Sequence, residues 1–311
     1  MAWTMGDIFY WSNFMDIKRP YRYEEQLQKL KDRGCVIDND KKCISILKSI
    51  NYYRFSAYFL PFKQTDDSYI SGTSFEKVFN IYEFDRKLHA ILFNALEEIE
   101  IFIRAKIAYY HAHKYGALGY LDEKNFYNTN SSQKHINKKI EYHKNFMKKF
   151  KKEVENNKKI LFVKHHINKY NSKFPIWVAT EIFTFGMLST FFANLKLEDQ
   201  KILAKDMYNI TDKKLKSWLH CCTDLRNICA HYGRLYYRIF SSIPKEMNHL
   251  HNDSKRKLWG AILTVKELYP FKNKWNIEIL PNFIKLIDEY KHYIDFTHIG
   301  FPEQWKDYLN K

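Results

Sequence analysis

The fold class is decided by one long stretch, residues 73–116, which reads TSFEKVFNIYEFDRKLHAILFNALEEIEIFIRAKIAYYHAHKYG. Apolar residues recur in it at steps of three and four, the spacing that places side chains on one face of an α-helix. The members of this apolar stripe are Phe84, Leu88, Ile91, Ala95, Ile99, Ile103 and Ile107. The opening residues 73–76 have the form of a capping box, in which Thr73 and Glu76 satisfy each other's backbone donors. The stretch predicts a long amphipathic helix that runs to Gly116.

The composition of the chain also favours helices. Only 9 glycines and 7 prolines occur among 311 residues, well below their average usage. Because these residues interrupt helices, their scarcity favours long helices. It disfavours β-sandwiches and glycine-rich dinucleotide-binding folds, which need more of them. Apolar residues make up 45% of the chain and aromatic residues 17%, which is enough to build a buried core. We therefore predict an all-α protein, a helical bundle.

We divide the chain into three regions. Residues 1–72 form an N-terminal helical region, residues 73–240 form a helical core, and residues 241–311 form further helices that pack on the core. Residues 134–164 differ from their surroundings, because eleven lysines stand there against three glutamates, with few large apolar residues. This composition predicts an exposed, lysine-rich helical insertion within the core region.

Three features bear on the location of the protein. Residues 174–195 carry a single charge, Glu181, but a carboxylate inside a membrane span costs about 2.5 kcal/mol or more. We therefore interpret this segment as a buried helix and expect no membrane association. The five cysteines are odd in number and unevenly spread, which favours reduced thiols. Residues 1–15 contain no Lys or Arg and do not resemble a signal peptide. We expect a cytoplasmic protein.

A short motif near residue 230 carries the chemistry. Residues 224–238 read DLRNICAHYGRLYYR, and Arg226 and His231 lie near the end of a helix that Thr211 caps and Gly233 stops. Five residues apart, their side chains are rotated by roughly 140° and displaced by ~7.5 Å along the axis. Since His231 lies in the last turn and arginine has a long reach, both are able to face a shared groove.

These two residue types suit the cleavage of RNA. Histidine exchanges protons near neutral pH, and arginine holds phosphate oxygens in a bidentate fork while it stabilises developing charge. RNA supplies its own nucleophile, the 2′-hydroxyl, so the reaction needs no metal or cofactor. The alternative is purely structural: His231 caps the helix C-terminus, and Arg226 pairs with Glu181 or Asp224.

Several motifs, in the same order along residues 18–306, resemble the Abi-like family of bacterial abortive-infection proteins, the AbiD/AbiF group. They are Tyr23-Glu24-Glu25-Gln26-Leu27, Arg33-Gly34, Asn51-Tyr52-Tyr53-Arg54-Phe55-Ser56-Ala57-Tyr58, Glu97 to Arg104, Trp177 with Glu181, Thr184-Phe185-Gly186-Met187-Leu188-Ser189, Leu225-Arg226-Asn227 with Cys229-Ala230-His231, and Gly300-Phe301-Pro302 with Trp305.

The resemblance implies a HEPN-type helical core, whose Arg-x4-6-His motif is the signature of metal-independent ribonucleases that work as dimers. It implies that Arg226 and His231 are catalytic and that Asn227 orients them. With one motif in the chain, a homodimer is implied. The family often has a second histidine where this chain has Tyr232, and an asparagine where it has Tyr237, so the contacts of those neighbours with RNA are in doubt.

Other residues are candidates for binding RNA. Arg234 and Arg238 are spaced to hold flanking phosphates, unless they are merely solvated. Tyr232, with Tyr236 and Tyr237, is able to stack on bases, although packing in the core is the alternative. The candidate lysines are Lys148, Lys149, Lys151 and Lys152, and they fit a surface that follows phosphates. A solvated insertion, enriched in lysine by an AT-rich genome, is the other interpretation.

We expect no metal site, because adjacent cysteines such as Cys221 and Cys222 point about 100° apart on a helix. The function expected is that of a phage-defence or toxin-like endoribonuclease. Two alternatives remain open. The protein binds a small noncoding RNA, as in a toxin–antitoxin pair, without efficient cleavage, or it senses a phage-derived component by protein interaction. Glu100 and Arg104 are expected to form a structural ion pair.

Overall fold

The computed structural model describes residues 19–247 and 250–310, and the described chain is helical with isolated β-bridges but no strand. The all-α prediction is confirmed. The first helices are α1 (Tyr23–Asp32), α2 (Asp40–Ser49), α3 (Tyr52–Ser56), α4 (Phe75–Tyr115), α5 (Gln133–Asn156), α6 (Leu161–Lys169), α7 (Ile176–Ile182), α8 (Phe185–Asn194), α9 (Leu197–Tyr208) and α10 (Asp212–Ala230). The later ones are α11 (Asn252–Lys255), α12 (Leu258–Leu268), α13 (Lys272–Lys274), α14 (Leu280–Tyr290), α15 (Phe296–Ile299) and α16 (Trp305–Asn310).

The chain divides into two compact units, residues 1–79 and residues 80–311. The finer division into three regions stays a prediction. In the first unit, Asn39 caps α2 by accepting a hydrogen bond from the Lys42 amide. Its core includes the ring of Phe55, whose centroid lies 5.5 Å from that of Phe59 and 5.2 Å from that of Phe75.

Helix α4 begins one residue later than the capping box predicts. The Ser74 hydroxyl accepts a hydrogen bond from the Lys77 amide at 3.1 Å, so Ser74 is the N-cap. The Thr73 hydroxyl instead donates to the Ile70 carbonyl at 2.6 Å. The helix then continues for 41 residues to Tyr115.

The predicted apolar stripe of α4 is buried except at one position. Ile91 is half-buried, and Leu92 on the next residue is 2% exposed in its place. The other predicted positions are fully buried: Phe84, Leu88, Ala95, Ile99, Ile103 and Ile107. The periodicity of the sequence therefore gives the buried face of this helix correctly.

The apolar segment 174–195 forms two helices, α7 and α8, where the sequence suggested one. Phe183 is extended, with φ −67° and ψ 131°, and Thr184 caps α8 by accepting from the Met187 amide at 3.3 Å. Most side chains of α8 are buried, which agrees with a core segment. None of the described helices combines the length and the apolar character that a membrane crossing requires.

The lysine-rich residues 134–164 are helical, as predicted, but one face of α5 belongs to the core. Phe146 and Phe150 are each 4% exposed, and their rings lie 5.0 Å and 5.4 Å from that of Phe183. His143 is buried too, and its Nε2 lies 2.8 Å from the Tyr120 carbonyl oxygen. The expectation of an exposed insertion is wrong for this face, because three residues at helical spacing are enough to bury it.

Helix α10 lies at the centre of the second unit. Its N-cap is Thr211, as predicted, which accepts from the Lys214 amide. The helix packs against α8, α9 and α12. The side chains buried in these contacts include Leu215, Trp218, Leu219, Cys222, Leu225 and Cys229. This packing fixes the C-terminal end of α10, where the Arg-His motif lies.

Candidate functional site

The end of α10 is closed by a turn that the sequence predicted at the wrong residue. The Gly233 amide donates to the Ile228 carbonyl at 2.8 Å, and the Tyr232 amide donates to the Cys229 carbonyl at 3.1 Å, the pair of bonds that defines a Schellman motif. The left-handed residue of this motif is Tyr232, with φ 53°. Gly233 is not left-handed. A non-glycine residue in this conformation costs about 1–2 kcal/mol, and such strain is frequent at functional sites.

His231 is the C-cap residue of α10, with φ −99° and ψ 12°. Its side chain is exposed. The imidazole makes no hydrogen bond or ion pair with any residue in the described ranges 19–247 and 250–310. The structural interpretation, in which His231 caps the C-terminus of the helix, is therefore correct for the backbone of His231. It leaves both ring nitrogens available for proton exchange.

Arg226 points toward α4. Its side chain is 33% exposed, and its Nε lies 3.8 Å from Oε2 of Glu100. The guanidinium carbon lies 5.8 Å from the ring centroid of Phe93, a contact that a cation makes with an aromatic face. The pairing with Glu181 or Asp224 considered from the sequence is wrong. No hydrogen bond or ion pair joins Arg226 and His231 within the described residues.

Glu100 connects Arg226 to a second arginine. Its Oε1 accepts a hydrogen bond from Nη2 of Arg104 at 2.8 Å, so the predicted Glu100–Arg104 ion pair is present. Arg104 also reaches the Glu181 carboxylate at 3.2 Å and the Phe183 carbonyl at 3.1 Å. Burial raises the pKa of Glu100, although Arg104 and Arg226 act in the opposite direction. Glu100 thus lies next to Arg226 without a hydrogen bond to its Nε, which is buried and has no hydrogen-bond partner among residues 19–247 and 250–310.

Two buried residues of α4 anchor the chain that follows His231, and the sequence analysis missed both. Asp85 is fully buried, and its two carboxylate oxygens accept from the Leu235 amide at 2.9 Å and the Tyr236 amide at 2.8 Å. His89 is 7% exposed, and its Nε2 lies 2.7 Å from the Gly233 carbonyl oxygen. The sequence does contain a sign of these two residues. They are an Asp and a His four residues apart on one helix, and each is next to a buried position of the apolar stripe.

The tyrosines of the motif divide between the surface and the core. Tyr232 is 68% exposed and Tyr237 is 42% exposed, so both rings are accessible. Tyr236 is fully buried, its hydroxyl lies 3.0 Å from Nδ1 of His298, and it accepts from the Asp295 amide. Packing is therefore the correct interpretation for Tyr236 alone.

The remaining predicted residues differ in exposure. Asn227 is exposed on α10, and Arg234 and Arg238 are half-buried. Nη1 of Arg238 donates to the Arg234 carbonyl at 3.4 Å, and its guanidinium lies 5.9 Å from the Phe240 ring. These contacts hold both arginines close to the turn that follows His231.

The candidate lysines lie on α5 and are all exposed: Lys148, Lys149, Lys151 and Lys152. They do not form one set. Lys149 and Lys152 line a groove against α8 and α10, and Lys148 and Lys151 do not. The structure thus brings two of these lysines next to the helix that carries Arg226 and His231, and it leaves the other two elsewhere on α5.

The cysteines near the motif are structural. Cys221, Cys222 and Cys229 are buried as free thiols. Burial raises the pKa of Cys221 and of Cys229 to about 12, so neither is a ready nucleophile or metal ligand at neutral pH. Over residues 19–247 and 250–310, no three His, Cys, Asp or Glu side chains are grouped as a metal site.

The comparison with protein families agrees with the motifs. The family model described as Abi-like protein matches residues 45–237, more than half of the chain. The chain belongs to the Abi-like protein family. It is therefore an abortive-infection protein in the general sense of that family. The matched range contains α4 and α10, with Arg226, His231 and the buried anchors Asp85 and His89. No curated protein and no solved structure matches this Abi-like chain.

Proposed function

We propose that this Abi-like protein is a metal-independent endoribonuclease of phage defence, and that Arg226 and His231 carry the reaction as a homodimer. The observation that carries the proposal is the placement, near one helix end, of an exposed imidazole that has no partner in the described chain and of a guanidinium whose Nε lies 3.8 Å from a carboxylate oxygen without a hydrogen bond. The buried Nε of Arg226 is an unsatisfied donor within the described residues, and such donors are rare in native proteins unless a ligand or a function accounts for them.

The division of labour follows from the chemistry of the two groups. His231 removes the proton of a 2′-hydroxyl, and the 2′-oxygen attacks the adjacent phosphorus while the bond to the 5′-oxygen breaks. The His231 imidazolium of the second copy gives its proton to the leaving 5′-oxygen. Arg226 donates to the non-bridging oxygens and stabilises their charge. The products are a 2′,3′-cyclic phosphate and a 5′-hydroxyl.

The turn after His231 supports this role by holding the histidine in place. Tyr232 takes a strained left-handed conformation, and the side chains of Asp85 and His89 on α4 form hydrogen bonds with the backbone of residues 233–236. A catalytic base has to stay within hydrogen-bond reach of the proton that it removes. Asn227, exposed one turn before His231, is available to bind a phosphate oxygen or a ribose hydroxyl.

An exposed apolar face next to Arg226 supports the homodimer. Along α4 the exposed side is formed by Ala90, Phe93, Asn94, Glu97, Ile101, Ala105 and Tyr109. Phe93, Ile101 and Tyr109 are 38%, 56% and 68% exposed. We call this set the α4 face. Since Phe93 contacts Arg226, a second copy bound at the α4 face would bring a second motif close to the first.

The test compares cleavage of labelled single-stranded RNA in excess EDTA by the wild type, His231→Ala and Arg226→Ala. The matched controls are His113→Ala, another exposed histidine, and Arg86→Ala, an arginine paired with Glu83 on α4. We expect either motif variant to lose at least about a hundredfold in rate, and the controls to cleave like the wild type. Equal cleavage by all five proteins would refute the proposal. RNA binding without turnover would favour a binding protein instead.

A further inference from the structure

A groove of about 440 Å³ lies between α5, α8 and α10. From α5 it is lined by Lys149 and Lys152, from α10 by His220, and from α8 by Ser189 and Thr190. The first turn of α8 also faces it, through Thr184 and Gly186. The groove is therefore bordered by two cations, an imidazole, hydroxyl groups and the positive pole of a helix.

The cationic groups of the groove are uncommitted. Lys149 and Lys152 make no ion pair or hydrogen bond within the described part of the chain, and neither does His220. All three side chains are exposed. Lysines with a purely structural or solubilising role on a helix often pair with a neighbouring carboxylate. Here Glu153, four residues after Lys149, forms no such pair.

A serine hydroxyl on α8 also faces the groove. Ser189 is only 9% exposed, yet it lines the groove, and its Oγ has no hydrogen-bond partner among residues 19–247 and 250–310. Its neighbour Thr190 has already satisfied its own hydroxyl by donating to the Gly186 carbonyl at 2.7 Å. The Ser189 hydroxyl is therefore available to a ligand in the groove.

The groove opens beside the exposed side of α10 that leads to the motif. His220, Asp224, Asn227 and His231 follow one another at spacings of four, three and four residues, which places them on one side of the helix. At 1.5 Å per residue, His220 lies about 16 Å from His231 along the axis. A single RNA strand that occupies the groove and follows this side of α10 would reach His231.

We propose that this groove binds one nucleotide of the substrate RNA, with its phosphate between Lys149 and Lys152 and its polar edges at His220 and Ser189. The assignment rests on the proposed function and extends it, because it gives the enzyme a second contact with the strand, away from the cleaved bond. Asp224 lines the groove but is bonded to the Ser242 hydroxyl. Both lining carboxylates, Asp224 and Glu153, would repel the phosphate, and Glu153 is the one whose side chain has no partner in the described chain.

The test measures binding of a fluorescent single-stranded oligouridine RNA in a His231→Ala background, so that cleavage is not needed for the readout. Removing Lys149 and Lys152 together (to Ala) is expected to weaken binding at least about tenfold. It should also lower the slope of log K against log salt by about 0.7, since the two lysines share one phosphate and each neutralised phosphate on a single strand contributes about 0.7. The matched control removes Lys134 and Lys144, two exposed lysines of the same helix outside the groove, and should change affinity less than about twofold.

Two further variants separate a specific groove from a diffuse basic surface. Glu153→Gln should tighten binding, because it removes the repelling carboxylate, and Ser189→Ala should weaken it without any change in charge. Equal loss for the two lysine pairs, or absence of RNA binding, would overturn the groove assignment. Neither of those results would change the outcome of the cleavage test with the wild type, so the groove assignment would fail without the nuclease proposal. Conversely, groove-dependent binding without cleavage would refute the nuclease proposal and retain the groove.

Discussion

Tyr232 is a residue at which the backbone of the site departs from what its sequence favours. It takes a left-handed conformation, with φ 53°, directly after His231, where glycine is the usual choice. The bonds that hold it come from residues far away in sequence, since His89 reaches Gly233 and Asp85 reaches Leu235 across 144 and 150 positions. The strain is thus maintained by tertiary contacts.

The strain at Tyr232 predicts an unusual order of stability. The free energy of unfolding of Tyr232→Gly should be about 1 kcal/mol higher than that of Tyr232→Ala, because glycine adopts the left-handed conformation without a steric penalty. Urea denaturation of the two variants measures the difference. The matched control is Tyr109, which is also 68% exposed but lies inside α4. At that position the order should reverse, and the free energy of unfolding of Tyr109→Gly should be about 1 kcal/mol lower than that of Tyr109→Ala. The same order at both positions would contradict the account.

The proposed catalytic pair was accessible from the sequence, and its surroundings were not. Arg226 and His231 stand out because their chemistry is specific and their spacing is short. The partner of Arg226 was not predictable, because Glu100, Glu181 and Asp224 were all plausible carboxylates, and only the packing of α10 against α4 selects Glu100. Gly233 was predicted as the helix stop, but nothing in the sequence indicated that Tyr232, rather than a glycine, takes the left-handed conformation.

At the scale of elements, periodicity gave the long helices and failed at breaks inside apolar runs. Helix α4 was predicted with its buried face, since it keeps a helical stripe over many turns. The break between α7 and α8 was missed because Phe183 and Thr184 interrupt a segment that is apolar throughout. The buried face of α5 was missed because its lysines outnumber the few residues that are buried.

A buried histidine of α4 makes the second unit sensitive to acid. His111 is fully buried among the rings of Tyr115, Phe126 and Phe191. Both ring nitrogens are without a hydrogen-bond partner in the described chain. Burial lowers the pKa of His111 from 6.5 to about 4, so the unfolded state binds its proton at a higher pH than the folded state does. The folded protein therefore loses stability as pH falls from 6.5 towards 4.

The size of this loss is testable with one substitution. Protonation of His111 in the unfolded state lowers the free energy of unfolding by about 3 kcal/mol at most. In urea unfolding at about pH 7.5 and about pH 5, wild type should lose more stability on acidification than His111→Phe, which keeps an aromatic ring in place. The exposed His113→Phe serves as the control and should behave like the wild type. Equal losses in all three proteins would show that burial of His111 has no such effect.

For the whole molecule, the low glycine and proline content and the helical stripes sufficed for the all-α class, and the ordered motifs sufficed for the family. The homodimer stays a prediction, and its structural counterpart is the α4 face beside Arg226. An exposed apolar face on a helix was not predictable from periodicity. Phe93 and Ile101 occur in a sequence in which almost every turn carries apolar residues, and only the packing decides which of them remain exposed.

The α4 face predicts how the assembly can be broken. Phe93→Asp and Ile101→Asp place a charge in the proposed interface and should raise the dimer dissociation constant at least about tenfold. Cleavage should fall with the dimer fraction. Leu161→Asp, at a side chain that is 84% exposed on α6, is the control and should change neither. Sedimentation over a range of concentrations gives the dissociation constant. Undiminished cleavage by a monomeric variant would exclude a site shared between two copies.

The chemical nature of the RNA ends tests the central claim most directly. Wild-type protein in excess EDTA should convert a defined single-stranded RNA into fragments that end in a 2′,3′-cyclic phosphate, one water lighter in the mass spectrum than the linear phosphate. Their partners should begin with a 5′-hydroxyl. The same RNA with 2′-O-methyl groups should stay intact, because its nucleophile is blocked, and His231→Ala should give no cyclic ends. Fragments with a 5′-phosphate, or cleavage of the 2′-O-methyl RNA, would contradict the account.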